Sequence, residues 1–152
     1  MQNYFYEHLN YLPPEELKQY ITGARHLRVA RISGTLAPRP LLDFWREILG
    51  RPLSITFSTT ELGGMGLSLN GDTDTGIDRS TGEPEPGVTV KLSEGNHGEL
   101  LVKCLLIFSH YLGDPAATAN MFDIERYYKT GGYVRRVGAE YVIDGRINTN
   151  CE

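Results

Sequence analysis

The sequence has little cysteine, no dense basic segment and no long hydrophobic run. Its two cysteines, Cys104 and Cys151, cannot build a disulfide framework. The longest apolar run, Cys104 to Phe108, is far shorter than the roughly 20 residues that span a bilayer. The first residues, Met1 to Glu7, lack the basic and apolar regions of a secretory signal. These absences predict a cytoplasmic protein that does not enter a membrane.

The composition is typical of a globular domain. Hydrophobic residues make up 40% and charged residues 22% of the 152 residues, both within the ordinary globular range. The formal net charge of −4, without a basic patch, argues against nucleic acid as the main partner. The histidines and cysteines do not have the spacing of metal ligands, so no His/Cys metal site is predicted.

The first part of the chain predicts a βαβ unit after an initial helix. That helix begins with proline and acidic residues at Pro14 and ends at Gly23. Leu27 to Ile32 alternates apolar with basic residues, as in a strand. Arg39 to Leu49 repeats apolar residues at helical spacing, and Leu53 to Phe57 predicts a second strand. Strands joined by such a crossover helix are parallel neighbours in one sheet.

From residue 70 the pattern changes to short β runs between turn residues. One helix interrupts them, with Asp114 as its N-cap and Pro115 at its first position. The predicted strands are Val88 to Leu92, Glu99 to Lys103, Tyr133 to Val137 and Glu140 to Ile143. The predicted fold is therefore α/β, a βαβ fragment of a larger parallel sheet at 1–69 followed by a small β-rich, barrel-like subdomain with one helix at 70–146. Residues 147–152 form a tail.

A polar loop follows the second predicted strand. Ser58, Thr59, Thr60 and Glu61 place three hydroxyls and a carboxylate next to a glycine cluster. Hydroxyls can donate to phosphate oxygens, a carboxylate can hold Mg²⁺, and loops at the ends of sheet strands often bind ligands. From these residues alone the loop is either a ligand site or a hydroxyl-rich turn between two elements.

Several short motifs follow one another in a fixed order between Leu27 and Arg146. They are Ser33-Gly34-Thr35-Leu36-Ala37-Pro38, Phe57-Ser58-Thr59-Thr60-Glu61, Gly82-Glu83-Pro84-Glu85-Pro86-Gly87-Val88, Gly98-Glu99-Leu100-Leu101-Val102-Lys103, Tyr111 to Thr118, Tyr128-Lys129-Thr130-Gly131 and Asp144-Gly145-Arg146. In this order they resemble the adenylate-forming acyl-CoA synthetase superfamily, which activates carboxylic acids with ATP and transfers the acyl group to coenzyme A. The run from Gly63 to Ser68 is faintly similar to the malonyl-CoA synthetase branch.

The resemblance implies a nucleotide site with Mg²⁺. Thr60 and Glu61 would be the catalytic pair, Thr60 at the α-phosphate of ATP or of the acyl-AMP and Glu61 on Mg²⁺. Coenzyme A would be the co-substrate. The nucleotide-binding residues implied by the resemblance are Ser33, Gly34, Ala37, Phe57, Ser58, Thr59, Thr60 and Arg146, the last at the ribose hydroxyls.

The sequence departs from the family pattern at several points. The family's ribose-binding aspartate is replaced by Gly132, and Ser58 replaces a motif glycine. The Ser/Thr/Gly-rich phosphate loop is missing, and the chain ends six residues after Arg146, before the domain that carries the family's catalytic lysine. We therefore expect a truncated homologue that binds a nucleotide weakly at most and is inactive alone.

Three interpretations remain open at this point. The chain could be an inactive remnant of an acyl-activating enzyme, including one of secondary metabolism. It could be one piece of a split ligase, which needs a longer acyl-CoA synthetase or a complementary fragment as its partner. It could also be a non-catalytic binding or regulatory module. A reading frame that continues in either direction would instead make it part of a complete ligase.

Overall fold

The structure is a computed structural model and describes residues 7–70 and 75–147. Residues 71–74 and nearly all of the predicted tail at 147–152 lie outside the described residues. Within the described ranges, no helix has the length and apolar character needed to cross a membrane.

The described residues include a helical segment at 7–10, three helices with both ends described, one 3-10 turn and eight strands. The helices are α1 (Pro14–Arg25), α2 (Arg39–Leu49) and α3 (Pro115–Asn120), and the 3-10 turn is Thr60–Leu62. The strands are β1 (Arg31–Ser33), β2 (Ser54–Ser58), β3 (Met65–Leu69), β4 (Glu83–Pro84), β5 (Thr89–Leu92), β6 (His97–Lys103), β7 (Tyr128–Val137) and β8 (Glu140–Arg146).

The first sheet has the strand order β1-β2-β3-β4. β1 and β2 are parallel, with Arg31 opposite Ser54, and α2 connects them. This confirms the predicted βαβ unit. β3 then returns antiparallel to β2, a strand that the sequence reasoning did not predict.

Helix α2 has the bounds that the hydrophobic spacing predicted. Its apolar face buries Leu41, Ile48 and Leu49. Gly50 ends the helix in the left-handed conformation, with φ of 71°, and donates its N–H to the carbonyl of Arg46 at 2.9 Å. Glycine is favoured there because a Cβ would be strained at positive φ.

Two predicted boundaries at the N-terminal side were wrong. The first strand begins at Arg31 instead of Leu27, and the side chains of Leu27 and Val29 are 51% and 62% exposed. The alternating pattern was therefore not a half-buried strand, because only residues 31–33 have a parallel partner. Helix α1 continues past Gly23 to Arg25, since a single glycine weakens a helix without ending it.

The second sheet is an antiparallel meander with the order β5-β6-β7-β8. Its four strands overlap the four predicted β runs, but β6, β7 and β8 are longer than predicted. Helix α3 lies between β6 and β7, and its N-cap residue Asp114 accepts a hydrogen bond from the N–H of Ala117 at 2.8 Å. The predicted cap is thus confirmed.

The two sheets share one hydrophobic core. Leu62 and Leu67 come from the first half of the chain and are 1% and 0% exposed. They lie in the same cluster as Leu100, Val102 and Val134 of the second sheet. Burial of a leucine side chain contributes roughly 1.5–3 kcal/mol, so this packing holds the sheets together.

The chain passes between the sheets after Pro84. β4 pairs with β3 in the first sheet, and β5 opens the second at Thr89. Just before β4, the chain requires Gly82, whose φ is 78°, because a Cβ there would lie 1.8 Å from the carbonyl oxygen of Ser68 in β3. The predicted subdomain boundary between residues 69 and 70 stays a prediction.

Replacing Gly82 with Ala should destabilise the fold strongly, because the new Cβ would collide with the backbone of Ser68. The matched control is Gly138→Ala, which has a similar φ of 64° but no heavy atom within 4 Å of the added Cβ. We expect about 1–2 kcal/mol for the control and clearly more, or no folding, for Gly82→Ala. Urea unfolding followed by circular dichroism measures both, and equal losses would contradict the collision.

Candidate functional site

A cleft of about 220 Å³ lies where the two sheets meet. Its walls come from the turn after β1, from β2, from the segment before β4, and from β7 and β8. The lining residues are Gly34, Thr35, Leu36, Ala37, Ile55, Thr56, Phe57, Ser58, Arg79, Ser80, Thr81, Thr130, Gly132, Ile143, Gly145 and Arg146. Small-molecule pockets usually measure about 300–1,000 Å³, so this cleft is sized for part of a ligand.

Five of the predicted site residues line this cleft: Gly34, Ala37, Phe57, Ser58 and Arg146. They come from positions up to 112 residues apart in the sequence, 34 to 146, and the packing of the two sheets brings them together. Ser33 lies beside the cleft, because its hydroxyl is 3.0 Å from that of Ser58.

The other three predicted residues lie in the turn that follows the cleft wall. Thr59 precedes the 3-10 turn, Thr60 begins it and is exposed, and Glu61 lies within it. None of the three lines the cleft. The predicted sites therefore separate into a cleft and an adjoining polar turn, and their functional roles stay predictions.

Glu61 is held by a cluster that the sequence reasoning did not predict. The hydroxyl of Tyr111 donates to Oε1 of Glu61 at 2.7 Å, and the N–H of Phe108 donates to its carbonyl at 2.7 Å. The ring of Phe108 packs against Tyr111 and Tyr128, at centroid distances of 4.8 and 5.8 Å. The sequence signal for Tyr111 was its place at the start of the Tyr-x-x-Asp-Pro motif.

This environment lowers the pKa of Glu61. Burial raises the pKa of its carboxyl, but the hydrogen bond from Tyr111, the backbone and the nearby hydroxyls of Thr59 and Tyr128 outweigh it, and the pKa falls below 4.5. Burial and the bond to Glu61 raise the pKa of Tyr111 to about 12. Glu61 is therefore ionised and Tyr111 is a neutral donor at neutral pH.

The hydroxyl of Thr59 has an unusual position. Its oxygen is buried and makes no hydrogen bond of ordinary length and angle within the described residues. It lies near enough to Glu61 and Tyr128 to lower the pKa of both groups, while burial dominates at Tyr128 and raises its pKa well above the ordinary value. Thr59 thus belongs to the polar cluster around Glu61 and faces away from the cleft.

Comparison with known proteins found two ligases among the relatives. The chain is 37% identical over 151 residues to the acyl-CoA ligase oryP of Aspergillus oryzae. The aligned region covers 99% of this chain and 28% of the relative. It is 34% identical over 132 residues to a malonate–CoA ligase of Arabidopsis thaliana. The aligned region covers 82% of this chain and 21% of the relative. The chain spans about a quarter of the length of these curated relatives. No protein-family model matches it.

Solved structures of similar fold come from the same group of enzymes. A malonyl-CoA ligase with methylmalonyl-CoA and AMP bound has a TM-score of 0.73 at 24% identity, over 85% of this chain and 29% of that one. The chain belongs to the adenylate-forming acyl-CoA synthetase superfamily. ATP-bound MatB of Rhodopseudomonas palustris has a TM-score of 0.73 at 19% identity, over 95% of this chain and 29% of that one.

Glu61 fits the Mg²⁺ that the superfamily resemblance implies. Mg²⁺ is usually bound by one or two carboxylates together with substrate phosphates and water. Glu61 supplies one ionised carboxylate, and Tyr111 is bonded to one of its two oxygens. No group of three or more His, Cys, Asp or Glu in the described ranges could hold a metal by itself. The residues present therefore suit a metal that arrives with a nucleotide.

Replacing Tyr111 with Phe should raise the pKa of Glu61, because the donor to Oε1 is removed. The lowered pKa of Glu61 contributes stability that is present above the unfolded-state pKa near 4.5 and is lost as the pH falls through the folded-state value. The substitution should thus reduce the free energy of unfolding more at neutral pH than at about pH 3. NMR titration of the Glu61 carboxyl carbon and urea unfolding at both pH values measure the two effects.

The control for this experiment is Tyr133→Phe, which removes a hydroxyl from β7 outside the Glu61 cluster. We expect the control to leave the pKa of Glu61 where it is. A Tyr111→Phe protein with an unchanged Glu61 pKa would contradict the role assigned to the hydrogen bond.

Proposed function

We propose that this chain forms one wall of an acyl-adenylate site. The observation that carries the proposal is the cleft between the sheets, which unites Gly34, Ala37, Phe57, Ser58 and Arg146 from separate motifs. In this arrangement Phe57 and the turn at Gly34 border the adenine, and Arg146 reaches the ribose. The polar turn continues from Ser58 toward the phosphates.

The chemistry of the wall follows from its two parts. Thr60 is exposed at the start of the 3-10 turn, where its hydroxyl can donate to the α-phosphate. Glu61 next to it would hold Mg²⁺, which neutralises charge on the transferring phosphate when bound. The substrate is a carboxylic acid, and coenzyme A is the acyl acceptor. A cytoplasmic location and a role in secondary metabolism are part of this proposal.

Nucleotide binding by this wall should be weak. Gly132 lies on β7 opposite Arg146 and provides no carboxylate for the ribose hydroxyls. A charge-assisted hydrogen bond contributes about 1.5–3 kcal/mol, so the loss of two would lower affinity about a hundredfold or more. We propose that turnover also needs a phosphate loop and a catalytic lysine from further sequence, in the same polypeptide or in another.

Replacing Gly132 with Asp should strengthen AMP binding by about ten- to a hundredfold, because it adds the missing anchor. The φ of Gly132 is not positive, and the nearest atoms to an added Cβ are Thr130 Oγ1 at 3.3 Å and the Phe57 ring at 3.7 Å. Only a small shift is therefore needed. Isothermal titration calorimetry with AMP measures the gain.

The matched control is Gly145→Asp, which adds the same charge to the cleft from the neighbouring strand, with no atom within 4 Å of its Cβ. It should not reproduce the gain. If both substitutions leave AMP affinity unchanged in folded protein, the proposed position of the ribose is wrong.

A second candidate function, a binding module for a partner protein, is favoured by exposed apolar side chains. Leu105, Leu112 and Ile124 are 99%, 96% and 99% exposed. Exposed large apolar side chains mark an interaction surface when they form a contiguous patch. The partner in this proposal is a longer acyl-CoA synthetase or a complementary fragment.

The 152-residue chain with Mg·ATP, coenzyme A and a panel of carboxylic acids should form no acyl-CoA thioester, which mass spectrometry detects directly. Adding a longer homologue that carries a phosphate loop and lysine but has an inactivated copy of this segment should restore turnover if the chain is one piece of a split ligase. Stable association without turnover would favour the binding module. Thioester formation by the chain alone would overturn the need for further sequence.

A further inference from the structure

Arg79 is a cleft residue that the motif analysis did not predict. Its φ is 58°, in the left-handed region that side-chain-bearing residues rarely adopt. The surrounding backbone explains why it stays there. The carbonyl of Arg79 accepts from the N–H of Ile143 at 3.2 Å, and Thr81 donates its N–H to Tyr141 at 2.8 Å. The segment is thus bound along β8, with Arg79 at the cleft.

The charged residues that line the cleft all have one sign. Arg79 and Arg146 are cationic, and none of the described lining residues is acidic. Within the part of the chain that the structure describes, Arg146 has no recorded side-chain partner. Arg79 has a 3.5 Å ion pair with Asp78, but both side chains are about half exposed, and such a pair is weak enough for a ligand to displace.

The nearby acid on β8 and the buried hydroxyls of the cleft are already engaged. Asp144 pairs with Arg135 at 3.0 Å. Thr81 and Thr130 donate their hydroxyls to the carbonyls of Tyr141 and Leu100, and Ser80 donates to Glu140. The two guanidinium groups are therefore the charged donors that the lining offers a ligand, beside the hydroxyl of Ser58, which shares a hydrogen bond with Ser33. Guanidinium matches phosphate in charge and in bidentate geometry.

The direction of the ligand follows from the proposed nucleotide site, on which this inference rests. The 5′-phosphate side lies toward Thr60 and Glu61, which do not line the cleft. The opposite side of the ribose lies toward Gly132 and Arg146, where an acid would be needed to bind a free diol. Here the charged residues among the lining are the two arginines.

We propose that this cleft selects a nucleotide that carries a phosphate monoester on its ribose, held by Arg79 and Arg146. A ribose phosphate matches two guanidiniums in a cleft whose lining has no acid, whereas an unmodified diol meets no carboxylate among the lining residues. The ligand class is therefore a 2′- or 3′-phosphorylated adenine nucleotide.

The test compares adenosine, adenosine 5′-monophosphate, adenosine 3′-monophosphate and inorganic phosphate, titrated into the full chain by calorimetry. Adenosine 3′-monophosphate should bind about ten- to a hundredfold more tightly than adenosine, the effect of a charge-assisted hydrogen bond. Arg79→Asn should abolish this gain without changing adenosine affinity. Asparagine tolerates positive φ, so the substitution keeps the backbone conformation.

The matched control is Arg126→Asn. Arg126 also has a positive φ, 67°, and lies outside the cleft over the ring of Phe122 at 4.3 Å. The control removes the same charge from a residue with the same kind of backbone conformation. It should keep the gain in affinity for the 3′-monophosphate. Thermal unfolding checks that each variant folds.

Four outcomes would overturn the inference. Equal affinity for adenosine and its 3′-monophosphate would show that the cleft does not select a ribose phosphate. Equal losses of the affinity gain in Arg79→Asn and Arg126→Asn would show a general effect of charge. Inorganic phosphate that binds as tightly as the 3′-monophosphate indicates a plain phosphate site. In each of these three cases, measurable binding of adenosine 5′-monophosphate, whether tight or weak, would leave the proposed function intact. If none of the adenine compounds binds, the proposed function falls as well.

Discussion

The packing of Leu62 and Leu67 against the second sheet is the contact on which the rest of the structure depends. These two side chains are fully buried, although they come from the first half of the chain. Because they join the core of the antiparallel meander, β2 and its loop are held beside β7 and β8. The cleft lies at this junction, and Gly82 allows the backbone before β4 to lie close to β3.

This junction divides the candidate site into two parts of opposite charge. The cleft is lined by glycines, small hydroxyls, apolar side chains and two arginines, and its charged side chains are cationic. The adjoining turn centres on Glu61, an anion whose pKa is lowered by hydrogen bonding, in particular from Tyr111 in the segment after β6. In the proposed function, a nucleotide would lie in the cationic cleft with its phosphates toward the turn where Glu61 would hold Mg²⁺.

One departure from the superfamily pattern and one cation meet in the same region of the cleft. Gly132 lies opposite Arg146 and provides no acid, and Arg79 adds a cation from the segment bound along β8. In the inference proposed above, these two features together make one side of the cleft suited to an anion.

Local sequence patterns determined the structural features that depend on short-range interactions, such as helix bounds and helix caps. The hydrophobic spacing and Gly50 defined helix α2, and Asp114 with Pro115 defined the start of α3, because caps and periodicity act within one turn. The motif order indicated which residues would form the site. Only the tertiary structure decided that Tyr111 holds Glu61 and that Arg79 faces the cleft, because these contacts join residues from separate elements and depend on how the two sheets pack.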